Sequence, residues 1–144
     1  MRKISEIIIH CTDTPENKLV TAEEIRAWHR NRGFVDMGYH FIIHQNGNVE
    51  KGRPIERAGA HCYNHNAHSI GIAYVGGRNI YGHADTRTLL QKQAMTELIM
   101  KLRAAYGNLE VHGHNFYNHH KECPCFNVEE EYGFINCINE ASRK

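Results

Sequence analysis

The chain has 144 residues, with 17 Lys and Arg against 16 Asp and Glu and a formal net charge of +1. A chain of this length folds as one domain and buries about 70% of the surface that it exposes when unfolded. The nearly neutral charge provides no electrostatic attraction for nucleic acid or for an anionic membrane surface. We therefore predict a single domain over residues 1–144 that binds neither of them.

The N-terminus lacks the apolar length of a secretory signal or a membrane span, because the run Ile7-Ile8-Ile9 stops at His10. An odd number of cysteines without the spacing of a small secreted domain favours reduced thiols. We therefore expect a protein that is made in the cytoplasm and does not insert into membranes. The cysteines are Cys11, Cys62, Cys123, Cys125 and Cys137.

The first elements are a strand and a helix. The β-branched run Ile7-Ile8-Ile9 is typical of a strand that is covered on both faces, and His10 lies at its carboxyl end. Thr21 and Glu24 have the spacing of a capping box, so a helix is predicted to begin after Thr21. Gly33 is predicted to end it.

A hairpin and another strand follow. Residues 39–43 and 48–51 flank Asn46-Gly47, a pair that predicts a hairpin with a primed turn because such turns need positive φ. Residues 69–75 form a further apolar strand, which Gly76-Gly77 interrupts. We interpret the residues from there through His83 as a polar loop.

Two helices and one strand complete the chain. Thr88 with Gln91 predicts the start of a long helix that ends at Gly107, and residues 109–112 resume a strand. Asn127 caps a closing helix that reaches about Asn139. Strands mixed with helices, one hairpin and parallel crossovers indicate an α/β domain with a central mixed sheet flanked by helices. The predicted apolar face of the long helix consists of Leu90, Ala94, Leu98, Leu102 and Ala105.

The chain contains twelve histidines, several times the ordinary share. The pair His119-His120, and His65 with His68, indicate nonspecific metal affinity rather than a site. We interpret most of the twelve as surface or packing residues, so candidate ligands must be identified by their position at strand ends and by the residues around them.

Three segments carry candidate metal ligands. His10 ends the first strand, and Cys123 precedes Pro124, which fixes the local backbone. His112 and His114 are two residues apart and point to the same side of an extended strand, so spacing does not choose between them. Two imidazoles and one thiolate leave the fourth tetrahedral position of zinc for water or substrate, as in a catalytic zinc site.

Together with Gly38-Tyr39-His40-Phe41, these segments resemble the zinc-dependent N-acetylmuramoyl-L-alanine amidases of the phage lysozyme type, which share a fold with the peptidoglycan recognition proteins. The resemblance covers nearly the whole chain. It implies that His114, in the Gly-His pair after a strand, is the second ligand. The family pattern Lys-x-Cys-Pro-x-Phe falls on residues 121–126, which implies that Cys123 is the third ligand and that Cys125 has a packing role.

The resemblance implies roles for three further residues. Tyr39 and Lys121 match the catalytic tyrosine and lysine of the family: the phenol would hydrogen-bond water or the developing oxyanion, and the ammonium would stabilise the tetrahedral intermediate. His61, in Gly59-Ala60-His61, matches a histidine of the substrate groove and is predicted to bind substrate.

The family implies a Zn²⁺ enzyme that hydrolyses the amide between the lactyl group of N-acetylmuramic acid and L-alanine in peptidoglycan. Without an export signal, it fits a monomeric phage or prophage endolysin that reaches the cell wall after a separate membrane-permeabilising holin acts. Three alternatives stay open at this point. One is a cytoplasmic amidase that recycles soluble muropeptides, and another is a recognition module that binds peptidoglycan without cutting it. The third is an interaction protein whose histidines bind metal adventitiously.

Overall fold

A five-stranded mixed sheet lies at the centre of the protein and a three-stranded sheet lies beside it. The computed structural model describes residues 1–142, so the last two positions of the predicted domain lie outside the described residues. The strands are β1 (Glu6–Cys11), β2 (Thr14–Pro15), β3 (Phe41–Ile43), β4 (Val49–Lys51), β5 (Ser69–Tyr74), β6 (Gly77–Asn79), β7 (Gly82–His83) and β8 (Glu110–Gly113). The helices are α1 (Ala22–Asn31), α2 (Leu89–Tyr106), α3 (His114–Tyr117) and α4 (Val128–Ser142).

The central sheet has the order β4-β3-β5-β1-β8. Its neighbours pair in parallel except β3 and β4, which form the antiparallel hairpin. Ile7 and Ile9 of β1 point into the larger core, which α2 and α4 cover, whereas Ile8 and His10 point to the opposite face because side chains alternate along a strand. On that opposite face α1 packs through Ile25. The predicted mixed sheet flanked by helices is therefore confirmed.

The predicted starts of α1 and α2 are confirmed, because both have complete capping boxes. The predicted apolar face of α2 is partly wrong. Leu90 is 53% exposed, whereas Gln91 is fully buried and its Nε2 donates to the carbonyl oxygens of Ile43 and Val75. Because these two hydrogen bonds hold Gln91 against the sheet, the helix face that is buried differs from the predicted one. The buried residues of α2 are Gln91, Met95, Leu98, Ile99 and Leu102.

The hairpin between β3 and β4 forms as predicted, but its turn is not the primed type. His44 N–H donates to the carbonyl of Asn48 at 2.9 Å, which leaves a loop of residues 45–47. Gly47 has a φ of +88°, and Asn46 is not among the residues with positive φ. A three-residue loop needs only one left-handed residue, at the glycine. The Asn-Gly pair therefore predicted the hairpin correctly, but the two-residue primed turn was wrong.

The prediction of a polar loop through His83 is wrong, because β6 and β7 form a short hairpin there. This hairpin pairs with β2 through Thr14 and Gly77 to make the second sheet. Strands of two or three residues carry too little alternation for a sequence pattern, and their pairing depends on a partner far away along the chain. Among the described residues, no helix has the length and apolar character needed to cross a membrane.

Candidate metal centre and active site

The ligand atoms of His10, His114 and Cys123, here called the His10 cluster, lie within 4.8 Å of one another. Ile9 of β1 is in register with Gly113 of β8, so the next residues, His10 and His114, become neighbours, with ring centroids 4.6 Å apart. Cys123 comes from the loop between α3 and α4, and its Sγ lies 3.8 Å from Nδ1 of His10.

This donor set matches the chemistry of zinc, which binds imidazole nitrogen and thiolate sulfur in tetrahedral sites. Burial lowers the pKa of His10 well below its usual range, and the nearby His61 and His114 lower it further. Burial and the charge of Lys121 also lower the pKa of His114. Both rings are therefore neutral at neutral pH, and a neutral imidazole is the form that binds a metal.

The Cys123 loop is held by contacts from the central sheet. The Cys11 N–H donates to Sγ of Cys123 at 3.2 Å, and the Tyr74 hydroxyl donates to the carbonyl of Pro124 at 2.6 Å. Cys125 instead lies with its Sγ 3.9 Å from that of Cys11 and packs against the larger core. The backbone thus directs one thiol of the Cys-Pro-Cys segment into the cluster and the other into packing.

The Tyr39 ring lies beside the His10 cluster, with its centroid 5.3 Å from that of His10 and 5.3 Å from that of His29. The Gly38 N–H donates to Nδ1 of His29 at 2.7 Å, which fixes the backbone just before the tyrosine. Within residues 1–142, nothing accepts or donates a hydrogen bond at the Tyr39 hydroxyl. Burial, with the Cys123 thiol adding to it, raises the pKa of Tyr39, so the phenol keeps its proton and can donate it in a hydrogen bond.

His61 lies behind His10 and is buried. Its Nδ1 is 2.8 Å from Nε2 of His10, and its Nε2 is 3.2 Å from the hydroxyl of Ser69. The ring occupies a depression above Gly71, where an added Cβ would lie 2.6 Å from the imidazole. The predicted contact of His61 with substrate stays a prediction, since the partners of its ring nitrogens are protein side chains.

His112, the alternative that strand spacing left open, is engaged elsewhere. Its Nδ1 lies 3.0 Å from the carboxylate of Glu129 and its Nε2 lies 3.0 Å from that of Glu110. Its ring stacks on Phe116 with centroids 4.2 Å apart. Burial opposes the charged form, but the two carboxylates outweigh it and raise the pKa of His112. Both ring nitrogens are therefore occupied by carboxylates, away from the His10 cluster.

Lys121 is exposed and borders an open cavity of about 550 Å³. The cavity is also lined by Asn115 and Glu122, which are the chain neighbours of His114 and Cys123. None of the three residues of the His10 cluster lines it, so this cavity lies beside the cluster. Its position provides space for a bound molecule that extends past the His10 cluster, with the Lys121 ammonium at the edge of that space.

Two supporting residues, His29 and Ser69, were not identified from the sequence. His29 shares the buried side of α1 with Ile25, four residues earlier, and a histidine on an apolar helix face is a signal for a buried hydrogen bond. Ser69 begins β5, and its hydroxyl completes the chain of contacts from His10 through His61. No local pattern indicates that role, because it depends on where His61 lies in space.

The comparisons with known proteins agree with this geometry. A family profile described as N-acetylmuramoyl-L-alanine amidase matches residues 1–126. An endolysin of Klebsiella phage KP32 is 35% identical over 129 residues, which cover 89% of this chain and 85% of the relative. Peptidoglycan-recognition protein SC2 of Drosophila melanogaster is 32% identical over 138 residues, covering 89% and 72%. The solved structure of N-acetylmuramoyl-L-alanine amidase LysC from Clostridium intestinale URNW superposes with a TM-score of 0.79 at 28% identity, covering 94% and 87%. This chain belongs to the N-acetylmuramoyl-L-alanine amidase family.

Proposed function

We propose that this protein hydrolyses the amide between the lactyl group of N-acetylmuramic acid and L-alanine in peptidoglycan, with a Zn²⁺ ion held by His10, His114 and Cys123. The observation that carries the proposal is the convergence of these three side chains, whose ligand atoms lie within 4.8 Å of one another. A Zn²⁺ ion held there supplies the Lewis acidity that activates water and polarises the amide carbonyl.

The contact between His10 and His61 supports this ligand role. When Nδ1 of His10, on the side of the Cys123 sulfur, binds the cation, Nε2 of His10 carries the proton and donates to Nδ1 of His61, 2.8 Å away. The Nε2–H of His61 then donates to the hydroxyl of Ser69. In this direction the chain of hydrogen bonds stabilises the tautomer in which His10 offers the lone pair of Nδ1 to a cation. We therefore assign His61 the role of a positioning residue, which orients the His10 ring for metal binding.

Tyr39 and Lys121 manage protons and charge in this proposal. The Tyr39 hydroxyl has no hydrogen-bonding partner in the described chain, so it is free to orient the attacking water and to donate to the oxygen of the substrate. The Lys121 ammonium, at the edge of the adjoining cavity, stabilises the negative charge of the tetrahedral intermediate. Attack by water forms a C–O bond at the carbonyl carbon, and collapse of the tetrahedral intermediate breaks the C–N bond. The lactyl group is left as a carboxylate, and the amine of L-alanine takes up the proton that the attacking water gave up.

The similarity to a phage endolysin favours intact cell wall as the substrate. We propose a monomer that is made in the cytoplasm and reaches the wall after a separate holin permeabilises the membrane. An amidase that recycles soluble muropeptides would use the same chemistry. The similarity to a peptidoglycan-recognition protein supports a second alternative, a module that binds peptidoglycan without cleaving it.

Purified sacculi incubated with the zinc-loaded protein test the proposal. We expect new amino groups of L-alanine without new reducing sugar ends, because the glycan strand stays intact. Cys123→Ala should abolish this release, whereas Cys137→Ala, which removes an exposed thiol outside the site, should retain it. Binding of sacculi without release by the wild type would favour the recognition module. Activity confined to soluble muropeptides would favour the recycling amidase.

A further inference from the structure

A second group of metal-binding side chains lies at the other end of β1. The ligand atoms of Glu6, His65 and His68, here called the Glu6 cluster, also lie within 4.8 Å of one another. Glu6 begins β1, and the two histidines belong to the segment that leads into β5. Glu6 and His10 lie four positions apart on the same strand, or about 13 Å. The two clusters share no residue and occupy separate places in the fold.

The Glu6 carboxylate is the most buried member of this cluster, and the residue is only 6% exposed. Its Oε2 lies 2.7 Å from Nε2 of His68, and its Oε1 accepts a hydrogen bond from the Tyr117 hydroxyl at 2.6 Å. Within residues 1–142, no Lys or Arg forms a salt bridge with it. Buried carboxylates are normally paired with a cation or bound to a metal, so this environment favours a cation.

The two histidines are held in place before any ion binds. The His65 ring stacks on Tyr117 with centroids 3.7 Å apart and planes inclined by 24°. Asn66 Oδ1 accepts a hydrogen bond from the Cys62 N–H at 3.0 Å, which orders the loop that leads from β4 to β5. The carbonyl of His68 accepts from the Ser5 N–H at 2.9 Å and joins that residue to the start of β1. A site whose ligands are fixed by such contacts loses little conformational entropy on binding.

We propose that Glu6, His65 and His68 form a second transition-metal site, which takes a divalent ion such as Zn²⁺ and leaves a position for water. Two imidazole nitrogens and one carboxylate oxygen are ligands that zinc accepts. An ion here would tie the loop of residues 61–68 to β1. The same loop begins with His61, so the site would also stabilise the segment that positions His10.

Metal-free protein dialysed against Zn²⁺ and analysed for bound zinc per chain tests this proposal. We expect two ions in the wild type, one in Cys123→Ala, and one in the double variant His65→Ala/His68→Ala. The matched control His119→Ala/His120→Ala removes two exposed histidines outside both clusters and should keep two ions. Substitution with Co²⁺ distinguishes the sites: the thiolate charge-transfer band should be present in His65→Ala/His68→Ala and absent in Cys123→Ala.

One bound zinc in the wild type would overturn the proposal, and so would retention of the second ion by His65→Ala/His68→Ala. Loss of the second ion only in the His119→Ala/His120→Ala control would assign it to adventitious surface binding. Glu6→Gln keeps the size of the side chain and removes its charge, so it replaces the double variant if the latter fails to fold, and should likewise lose one ion. Failure of the Glu6 cluster would leave the cobalt–thiolate band of the His10 cluster unchanged, so the two proposals fail separately.

Discussion

The Nδ1 atom of His61 lies 2.8 Å from Nε2 of His10, while Nδ1 of the same His10 ring faces the sulfur of Cys123. Removing this support with His61→Ala should weaken zinc binding by roughly 10–100-fold, the usual effect of losing a partner that orients a metal-binding histidine. His61→Gln should restore part of the affinity, because its amide oxygen can accept from Nε2–H of His10. Competition with a chromophoric chelator measures the affinity.

His44→Ala is the matched control, because the His44 ring contacts Glu50 and has no contact with His10. Its zinc affinity should equal that of the wild type. If His61→Ala also binds zinc as tightly as the wild type, the contact between the His61 and His10 rings has no positioning role. The prediction that His61 binds substrate would then be favoured.

Gly71 makes room for the His61 ring, because an added Cβ would approach the imidazole to 2.6 Å. Gly71→Ala should therefore displace His61, lower the free energy of unfolding by about 1–3 kcal/mol as overpacking does, and weaken zinc binding. Gly133→Ala is the control, since within the described residues only the backbone of its own helix and its chain neighbours lie near its added Cβ, and alanine favours a helix by up to about 1 kcal/mol. Urea unfolding measures the stability, and competition with a chelator measures the zinc affinity. Equal stability and equal zinc affinity of the two variants would show that Gly71 does not make room for His61.

Tyr39→Phe removes a hydroxyl that has no hydrogen-bonding partner in the described chain and keeps the ring that contacts His10 and His29. We expect kcat to fall by about 10²–10³-fold, as for the loss of one oxyanion donor, with zinc content and stability unchanged. Tyr81→Phe, on a ring that is 90% exposed, should leave kcat unchanged. An equal kcat for Tyr39→Phe and the wild type would show that the Tyr39 hydroxyl has no catalytic role.

Arg87 links Asp85 to Glu131, with hydrogen bonds of 3.0 and 2.8 Å, and its guanidinium lies 3.4 Å from the centre of the Phe126 ring. Burial opposes ionisation of Asp85, but its hydrogen bonds to Arg87 outweigh this effect and lower the pKa. The hydrogen bond from Arg87 likewise lowers the pKa of Glu131. Arg87→Met should cost about 2 kcal/mol at neutral pH, because it leaves two carboxylates without their cation. Solvent reaches both carboxylates, so the cost is lower than for a fully buried pair.

The pH dependence of this ion-pair network has a definite sign. Depressed carboxyl pKa values stabilise the fold above the unfolded values, and this stabilisation disappears as the pH falls through the folded ones. The stability difference between wild type and Arg87→Met should therefore be constant near neutral pH and shrink below about pH 4. Urea unfolding from pH 3 to pH 7 measures it, and a difference that stayed constant to pH 3 would contradict the ionic origin.

The predicted family, α/β fold and enzyme class are confirmed, because they rest on patterns that are local or shared with relatives. The capping boxes at Thr21 and Thr88 formed as predicted, since each needs only residues three positions apart. The convergence of His10 with His114 follows from parallel pairing of β1 with β8, which strand character alone did not specify. The metal and catalytic roles of the individual residues stay predictions.

What the sequence did not predict depends on distant partners. The buried stripe of α2 is set by the contacts of Gln91 with two strand carbonyls, and helical periodicity alone misassigned Leu90. His65 and His68 gave only a signal of nonspecific metal affinity, because the carboxylate of Glu6 joins them only after folding. His61 resembled a groove residue, and its contact with His10 could not be predicted before the loop was placed on β5.

A zinc-edge anomalous diffraction map from crystals of the zinc-loaded protein would locate the metal that the hydrolytic reaction requires. We expect a strong peak in contact with Nδ1 of His10, a ring nitrogen of His114 and Sγ of Cys123. A peak at the Glu6 cluster would be separate from it and would bear only on the second site. An active, zinc-loaded crystal form with no peak at the His10 cluster would contradict the assignment of these three residues as the ligands of the hydrolytic metal.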